Sequence, residues 1–148
     1  MKLKSILYDK CLEIVSEKIR MAETSMKAAQ DSANAEGKST AGDKYDTARA
    51  MSHIERDMYA KQLAESIHLK NILDGIDLSR STTIESGSLV ETSLGNYFIS
   101  VGLGLIKLEQ ITAFALSPLS PIGELILGKT QGDSVIFNGK EIKILSVS

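Results

Sequence analysis

Apolar side chains recur at steps of four and three residues through the first part of the chain. The positions are Tyr8, Leu12, Val15, Ile19, Ala22, Met26, Ala29 and Ala33. This spacing keeps one stripe on one side of an α-helix and is typical of a coiled-coil strand. The stripe narrows from Leu, Val and Ile to Ala and Met, so we expect a partner helix to approach closely toward residue 33.

The helical pattern breaks over residues 34–40 and then resumes. Ser39 or Thr40 can cap a second helix, and Asp43 lies three residues after Thr40, which is the spacing of a capping box. The sequence therefore predicts a short turn and a second helix that begins near Ala41.

The second helix has a less regular apolar pattern. Its predicted buried face consists of Tyr45, Ala48, Met51, Ile54 and Met58, and continues at Leu63 and Ile67. Gly75 is predicted to end the helix with a positive φ angle. Two helices of this length, joined by a short turn, predict an antiparallel hairpin.

The second half of the chain changes character, because it holds both prolines and eight of the 11 glycines. Short β-strands are predicted at residues 88–92, 97–101, 105–108, 111–115, 134–137 and 140–147, and a short helix at residues 122–127. Asn138-Gly139 is the strongest hairpin signal. The predicted fold class is α+β, with a coiled-coil hairpin at residues 1–78 followed by a small antiparallel β domain with one short helix at residues 79–148.

Composition and charge narrow the possible functions. The chain has 148 residues and a formal net charge of −2, so no global basic field would hold it on nucleic acid. The longest nearly unbroken apolar stretch, residues 97–106, is about half of what a membrane-spanning helix needs. The single cysteine excludes an internal disulfide framework. We expect a cytoplasmic protein without a secretory leader.

Residues 120–135 read S-P-I-G-E-L-I-L-G-K-T-Q-G-D-S-V. This segment resembles the S-P-[IL]-x-x-x-[LI]-[LI]-G-K-x-x-G-D-x-V signature of the Gre transcript-cleavage factors, GreA and GreB. The resemblance extends to the order of parts, since that family places an FKBP-like domain behind a coiled-coil hairpin. The run at residues 39–46 is similar to that of small Gre-like proteins from Bacteroidetes.

The resemblance implies an elongation factor that acts on bacterial RNA polymerase. Gre factors dock their globular domain beside the secondary channel of the polymerase and insert the hairpin. Two acidic residues at the tip then help to hold the second Mg²⁺ of the polymerase, which cleaves backtracked RNA. The implied factor is a monomer that binds no metal or cofactor by itself, shares the Mg²⁺ of the polymerase and meets the RNA 3′ end indirectly. It has no membrane partner and is not an enzyme.

Two alignments of the tip with the family remain open. Matching residues 42–48 to G-D-x-x-E-N-A makes Asp43 and Asp46 the catalytic acidic pair, one helical turn apart. Matching residues 45–49 to Y-x-x-A-R instead puts Lys38 and Ala41 where the acids should be. The candidate supporting residues of the tip are Glu36, Lys38, Lys44, Tyr45 and Arg49. The polymerase-binding candidates are Ser120, Pro121, Ile122 and Gly128.

Other functions compete with this interpretation. A non-cleaving regulator or inhibitor that occupies the channel stays open, and so does a coiled-coil adaptor unrelated to transcription. A fatty-acid ketoacyl synthase is rejected, because His53 and His68 are fifteen residues apart on one helix and cannot meet Cys11. Prolyl isomerase activity is not expected, because the second half has few aromatic residues and no Trp.

Overall fold

Two long helices form the first half of the protein. The computed structural model describes residues 2–36 and 42–148, and for Glu36 and residues 42–46 it describes only the backbone. Helix α1 spans Lys2–Glu36 and helix α2 spans Gly42–Asp74. Both predicted helices are confirmed, and α2 begins within one residue of the predicted start. The predicted caps Ser39 and Thr40 lie outside the described residues.

The chain divides into two compact units, of which residues 13–70 are one and residues 1–12 with 71–148 are the other. In the first of these units the predicted stripe of α1 is confirmed, because Val15, Ala22, Ala29 and Ala33 are all buried. The surface along which α1 and α2 meet in this unit is called the seam. On the α1 side it is lined largely by small side chains.

The predicted buried face of α2 is wrong at four positions, whereas Ala48 and Leu63 are half-buried and the side chain of Tyr45 lies outside the described residues. Met51 and Ile54 are 54% and 63% exposed, and Met58 and Ile67 are exposed as well. The helix instead turns a heptad-spaced set of residues inward or partly inward: Ser52, Arg56, Tyr59, Leu63 and Ser66. The two most buried members of this set are small and polar, Ser52 and Ser66, and the larger members are only partly buried.

Side-chain contacts between the helices show that α1 and α2 run antiparallel within residues 13–70. The Ser52 hydroxyl donates to Ser32 Oγ at 3.3 Å, and Arg56 Nη1 donates to Gln30 Oε1 at 2.9 Å. Later residues of α1 thus pair with earlier residues of α2. This confirms the antiparallel hairpin.

The end of α2 is only partly as predicted. The helix stops at Asp74, and the N–H of Gly75 donates to the Ile72 carbonyl at 3.2 Å. The φ angle of Gly75 is not positive. Gly75 is therefore the predicted stop but not the predicted left-handed cap, and the last turn closes with an i to i+3 hydrogen bond instead.

The second half forms one six-stranded sheet. Its strands are β1 (Leu89–Thr92), β2 (Gly95–Ile99), β3 (Gly104–Lys107), β4 (Thr112–Leu116), β5 (Ser134–Phe137) and β6 (Lys140–Val147). Their order in the sheet is β3-β4-β2-β1-β6-β5. Neighbours are antiparallel except for β2 and β4, which pair in parallel. The predicted antiparallel sheet is confirmed in four of its five strand pairs, and β2 with β4 is the exception because β3 lies on the outer edge of β4.

Helix α3 (Pro121–Ile126) packs against one face of this sheet. Its Ile126 is fully buried in a core cluster that includes Ile84, Val90, Ile99 and Ile144. The β5–β6 hairpin turns at Asn138 and Gly139, both of which have positive φ, as a tight two-residue turn requires. The predicted turn and both of its strands are confirmed.

The first turns of α1 belong to the same unit as the sheet. Leu7, Cys11 and Leu73 are fully buried there. The hydroxyl of Tyr8 donates to the Leu73 carbonyl at 2.7 Å. This hydrogen bond and the apolar contacts around it tie the beginning of α1 to the end of α2.

A buried lysine also contributes to this unit. The ammonium of Lys4 donates to the Ser79 carbonyl at 3.1 Å. Burial lowers the pKa of Lys4, and the nearby carboxylates of Asp77 and Glu85 act in the opposite direction.

No helix in the described part of the chain is both long and apolar enough to cross a membrane.

Gly123 is tightly enclosed, so a substitution at this position tests the packing around α3. A Cβ atom at this position would lie 2.2 Å from the Ser117 carbonyl oxygen. We expect Gly123→Ala to destabilise the protein by about 1–3 kcal/mol, because the backbone around α3 must shift. The urea midpoint measures this effect. Gly102→Ala is the matched control, since a Cβ there meets open space, and a cost equal to that of Gly123→Ala would contradict the prediction.

Candidate functional site

The candidate acids lie at the beginning of α2. The helix starts at Gly42, so the backbone of Asp43 and Asp46 forms its first turn. Two residues three positions apart in a helix are neighbours on one side of it. Their side chains lie outside the described residues, and the acidic pair stays a prediction.

The residues predicted to support the tip fall mostly in the same region. Lys38 lies outside the described residues, and so do the side chains of Glu36, Lys44 and Tyr45. Arg49 is described and exposed, and its Nε lies 3.5 Å from His53 Nε2, one turn further along α2. Arg49 thus lies on the described part of the helix that follows the candidate acids.

The corner before α3 brings together the first polymerase-binding candidates. Ser120 caps the helix, because its Oγ accepts the N–H of Gly123 at 3.1 Å. The same hydroxyl donates to the Ser117 carbonyl at 2.7 Å. Pro121 occupies the first turn, where a missing N–H costs nothing, and it is exposed. Ser120 therefore shapes the corner, and Pro121 lies on its surface.

Gly128 fixes the other end of α3. It has a φ angle of 81°, and its N–H donates to the Ile84 carbonyl at 2.8 Å. The N–H of Ile84 in turn donates to the Lys129 carbonyl at 2.9 Å. This reciprocal pair ties the end of α3 to the segment before β1. Gly128 is thus a structural residue that orients its neighbours, because L side chains rarely adopt its backbone conformation.

Asp133 is the turn residue that its sequence context predicts. Its Oδ2 accepts the backbone N–H of Thr130 at 2.9 Å. The preceding Gly132 has a φ angle of 93°. The G-D pair of the signature thus closes the turn that leads into β5.

Exposed leucines surround α3, and two of them, Leu119 and Leu127, were not among the predicted site residues. Leu119 is 80% exposed, and Leu125 and Leu127 are exposed too. Ile122 is half-buried against the core, while Ile126 lies inside it. Among the leucines of residues 120–135, Leu127 is 44% exposed and Leu125 is 39% exposed. The position of Leu119 between Pro118 and Ser120 is the only sequence signal that indicates its exposure.

The single cysteine has none of the features of a catalytic thiol. Cys11 is fully buried. Burial raises the pKa of its thiol to about 11, which the Ser100 hydroxyl beside it only partly opposes. His53 and His68 both lie on α2, about 22 Å apart along its axis. These positions support the rejection of ketoacyl synthase chemistry.

The described residues also hold no metal site of their own. Within them, no group of three or more His, Cys, Asp or Glu side chains is placed to hold a metal ion. The side chains of residues 42–46, at the start of α2, lie outside the described residues.

Comparisons with known proteins give a likeness only at the level of solved structures. No protein-family model matches the chain, and no curated protein sequence matches it either. The chain is similar to the crystal structure of GreA factor homolog 1 (Gfh1) of Thermus thermophilus, with 15% identity and a TM-score of 0.37, over 93% of this chain and 94% of that one. A structure of the transcription factor Gfh1 has 16% identity and a TM-score of 0.34, over 95% and 92%. Values of this size do not establish a shared function.

The burial of Cys11 predicts that its thiol reacts slowly with disulfide reagents. At pH 8 we expect an aromatic disulfide reagent to react about 100-fold more slowly with the native protein than with the protein unfolded in guanidinium. The reason is that a pKa near 11 leaves little thiolate to attack the disulfide. The released chromophore measures the rate, and Cys11→Ser gives the blank. Complete reaction of the native protein within the mixing time would contradict a buried, inert thiol.

Proposed function

We propose that this protein is an accessory factor of bacterial RNA polymerase that inserts its helical hairpin into the secondary channel. The observation that carries the proposal is the Gre-like signature at residues 120–135, in which each capping or turn residue has a defined structural role. Ser120 caps α3, Gly128 closes it, and Asp133 forms the turn into β5. The helical hairpin precedes this segment, in the order that Gre factors use.

The docking surface in this proposal surrounds the beginning of α3. Pro121 and Leu119 are exposed there, and Ile122 is half-buried behind them. A rigid apolar corner of this kind suits a protein partner, because it loses little conformational entropy on binding. Ser120 and Gly128 act by holding the corner in shape. The polymerase would thus contact Leu119 and Pro121 directly.

The tip of the hairpin would supply the chemistry. In the first alignment, Asp43 and Asp46 offer two carboxylates from the first turn of α2. Mg²⁺ keeps several water ligands and needs only one or two carboxylates from a protein. A visiting acidic pair can therefore complete the shell of the second metal in the polymerase, and two metals together stabilise the attacking and leaving oxygens. The polymerase remains the catalyst, and the factor is not an enzyme.

The second alignment favours a different outcome in the same channel. It puts Lys38 and Ala41 at the positions of the acids, and neither side chain binds a cation. In addition, Asp46 has a shorter reach than the Glu of the family pattern by one methylene group. A factor of this kind would occupy the channel and regulate the polymerase without stimulating cleavage.

Cleavage of backtracked RNA distinguishes the two modes. With stalled, backtracked elongation complexes, we expect the wild-type protein to release short 3′ RNA fragments. Asp43→Ala and Asp46→Ala should each slow this release by about 10-fold or more, because each removes a carboxylate ligand. Asp57→Ala is the matched control, since it removes an exposed acid of the same helix whose contact with Arg56 contributes little to stability. Gel analysis of labelled RNA measures the fragments.

Binding and fragment release, compared across the variants, distinguish a cleavage-stimulating factor from a non-cleaving regulator. Binding without fragments from the wild type would leave the non-cleaving regulator. Equal rates for Asp43→Ala, Asp46→Ala and Asp57→Ala would contradict a role for the acidic pair. No binding to the polymerase would contradict the proposal as a whole.

The docking surface can be tested separately from the chemistry. Leu119→Glu should weaken binding to the polymerase by about 10-fold or more, because it places a charge in the centre of an apolar contact. Ile136→Glu is the matched control. Ile136 of β5 is 71% exposed and lies opposite Glu141 of the neighbouring strand β6. Its side chain is on the sheet face that points away from the core cluster, because the adjacent Val135 packs against that cluster. Titration of labelled protein with polymerase measures the affinity, and equal loss in both variants would contradict a specific corner.

A further inference from the structure

The seam between α1 and α2 changes in character along the hairpin. Its inner part, residues 13–28 with 57–70, contains large apolar side chains that are buried or half-buried, among them Val15, Ile19 and Leu63. Residues 29–35 of α1 and 47–56 of α2 are here called the outer hairpin. Among the described side chains of the outer hairpin, the buried ones are all small: Ala29, Ala33 and Ser52.

Polar contacts join the two helices in the outer hairpin. The Ser52 hydroxyl donates to Ser32 Oγ at 3.3 Å, and Arg56 Nη1 donates to Gln30 Oε1 at 2.9 Å. Ser32 is exposed and Arg56 is half-buried, so solvent already reaches both contacts. Water can satisfy all four groups when the helices separate. Each of these hydrogen bonds therefore adds little net stability to the closed seam.

The apolar surface buried in the outer hairpin is also small. A buried alanine removes one methyl group from water, whereas a buried isoleucine or phenylalanine removes a large side chain. The sheet unit, residues 1–12 with 71–148, shows the contrast, because Phe98, Ile99 and Ile126 are completely buried in it. The free energy that holds the outer hairpin closed is therefore much smaller than the free energy that holds the sheet unit folded.

Separation of the helices also affects their backbone hydrogen bonds. Most of the stability of a helix in a protein comes from tertiary packing and not from intrinsic propensity. Once α1 and α2 part, their turns in the outer hairpin lose that packing and fray. Fraying exposes amide hydrogens to exchange with solvent, so the opening is measurable.

We propose that the outer hairpin opens by separation of α1 from α2 while the sheet unit stays folded. The seam is built for this motion, because small side chains and two polar contacts allow the helices to part without exposing a large apolar surface. The inner part of the hairpin limits the opening, since its larger side chains remain packed.

The effect of a partner on this opening rests on the proposed function. A channel that encloses the hairpin accepts only the closed form, so binding to the polymerase would suppress the opening. The opening itself needs no partner and is measured on the protein alone.

Amide hydrogen exchange measures the opening segment by segment. After correction for intrinsic rates, we expect the amides of the outer hairpin to exchange about 100-fold or more faster than those of β1 and β2. Exchange as slow in the outer hairpin as in these strands would overturn the proposal.

A disulfide across the seam tests whether the helices separate. The hydroxyl oxygens of Ser32 and Ser52 are in contact, so a disulfide between cysteines at these positions needs little movement. The oxidised double variant Ser32→Cys with Ser52→Cys should slow exchange in the outer hairpin about 10-fold or more, and its reduced form is the matched control. Cys11 does not compete, because it is buried and its thiol pKa is about 11.

A single substitution tests the polar contacts without a disulfide. Arg56→Ala removes the hydrogen bond to Gln30 and should speed exchange in the outer hairpin about 3-fold or more, while exchange in β1 and β2 stays unchanged. Arg20→Ala is the matched control, because Arg20 contacts Glu17 on its own helix, and it should leave the outer hairpin unchanged.

The outcomes separate this inference from the proposed function. A disulfide that leaves exchange in the outer hairpin unchanged would overturn the opening, and so would equal effects of Arg56→Ala and Arg20→Ala. Opening of the free protein without any binding to polymerase would defeat only the proposed function. Polymerase binding by a protein whose free outer hairpin exchanges as slowly as the sheet would defeat only this inference.

Discussion

Burial of the two helix ends within the β-sheet unit is the constraint on which the rest of the structure depends. Leu7, Cys11 and Leu73 are completely buried there, and Tyr8 closes the pair of helices with a hydrogen bond to the Leu73 carbonyl. Lys4 adds a buried contact to the Ser79 carbonyl. These contacts hold the beginning of α1 and the end of α2 together within this unit.

The hairpin seam shows how close packing determines which residues are exposed. Alanines at positions 22, 29 and 33 bring the helices close together, and Ser32 and Ser52 meet across the seam. Arg56, Tyr59 and Leu63 lie only partly buried beside these small residues. Met51 and Met58 of α2 lie on the surface instead.

The segment around α3 places residues that the backbone geometry requires directly beside exposed apolar residues. Ser120, Gly123 and Gly128 are required by the backbone geometry, while Leu119 and Pro121 beside them are exposed. A rigid corner with an apolar surface is a good scaffold for binding, because its geometry is fixed before the partner arrives. The residues of such a signature are therefore mainly those that the backbone geometry requires. Which residues are available for contact is known only from their exposure in the structure.

The sequence by itself determined the features that depend on local chemistry. The two helices, the β5–β6 strands and the Asn138-Gly139 turn follow from periodicity and from backbone preferences of single residues. Only the tertiary structure decided the parallel pairing of β2 with β4, the inward face of α2 and the exposure of Leu119. These depend on which surfaces meet, and hydrophobicity along one helix does not distinguish a core methionine from an exposed one. The physical reason is that burial is a property of a pair of packed elements, whereas a sequence pattern belongs to one.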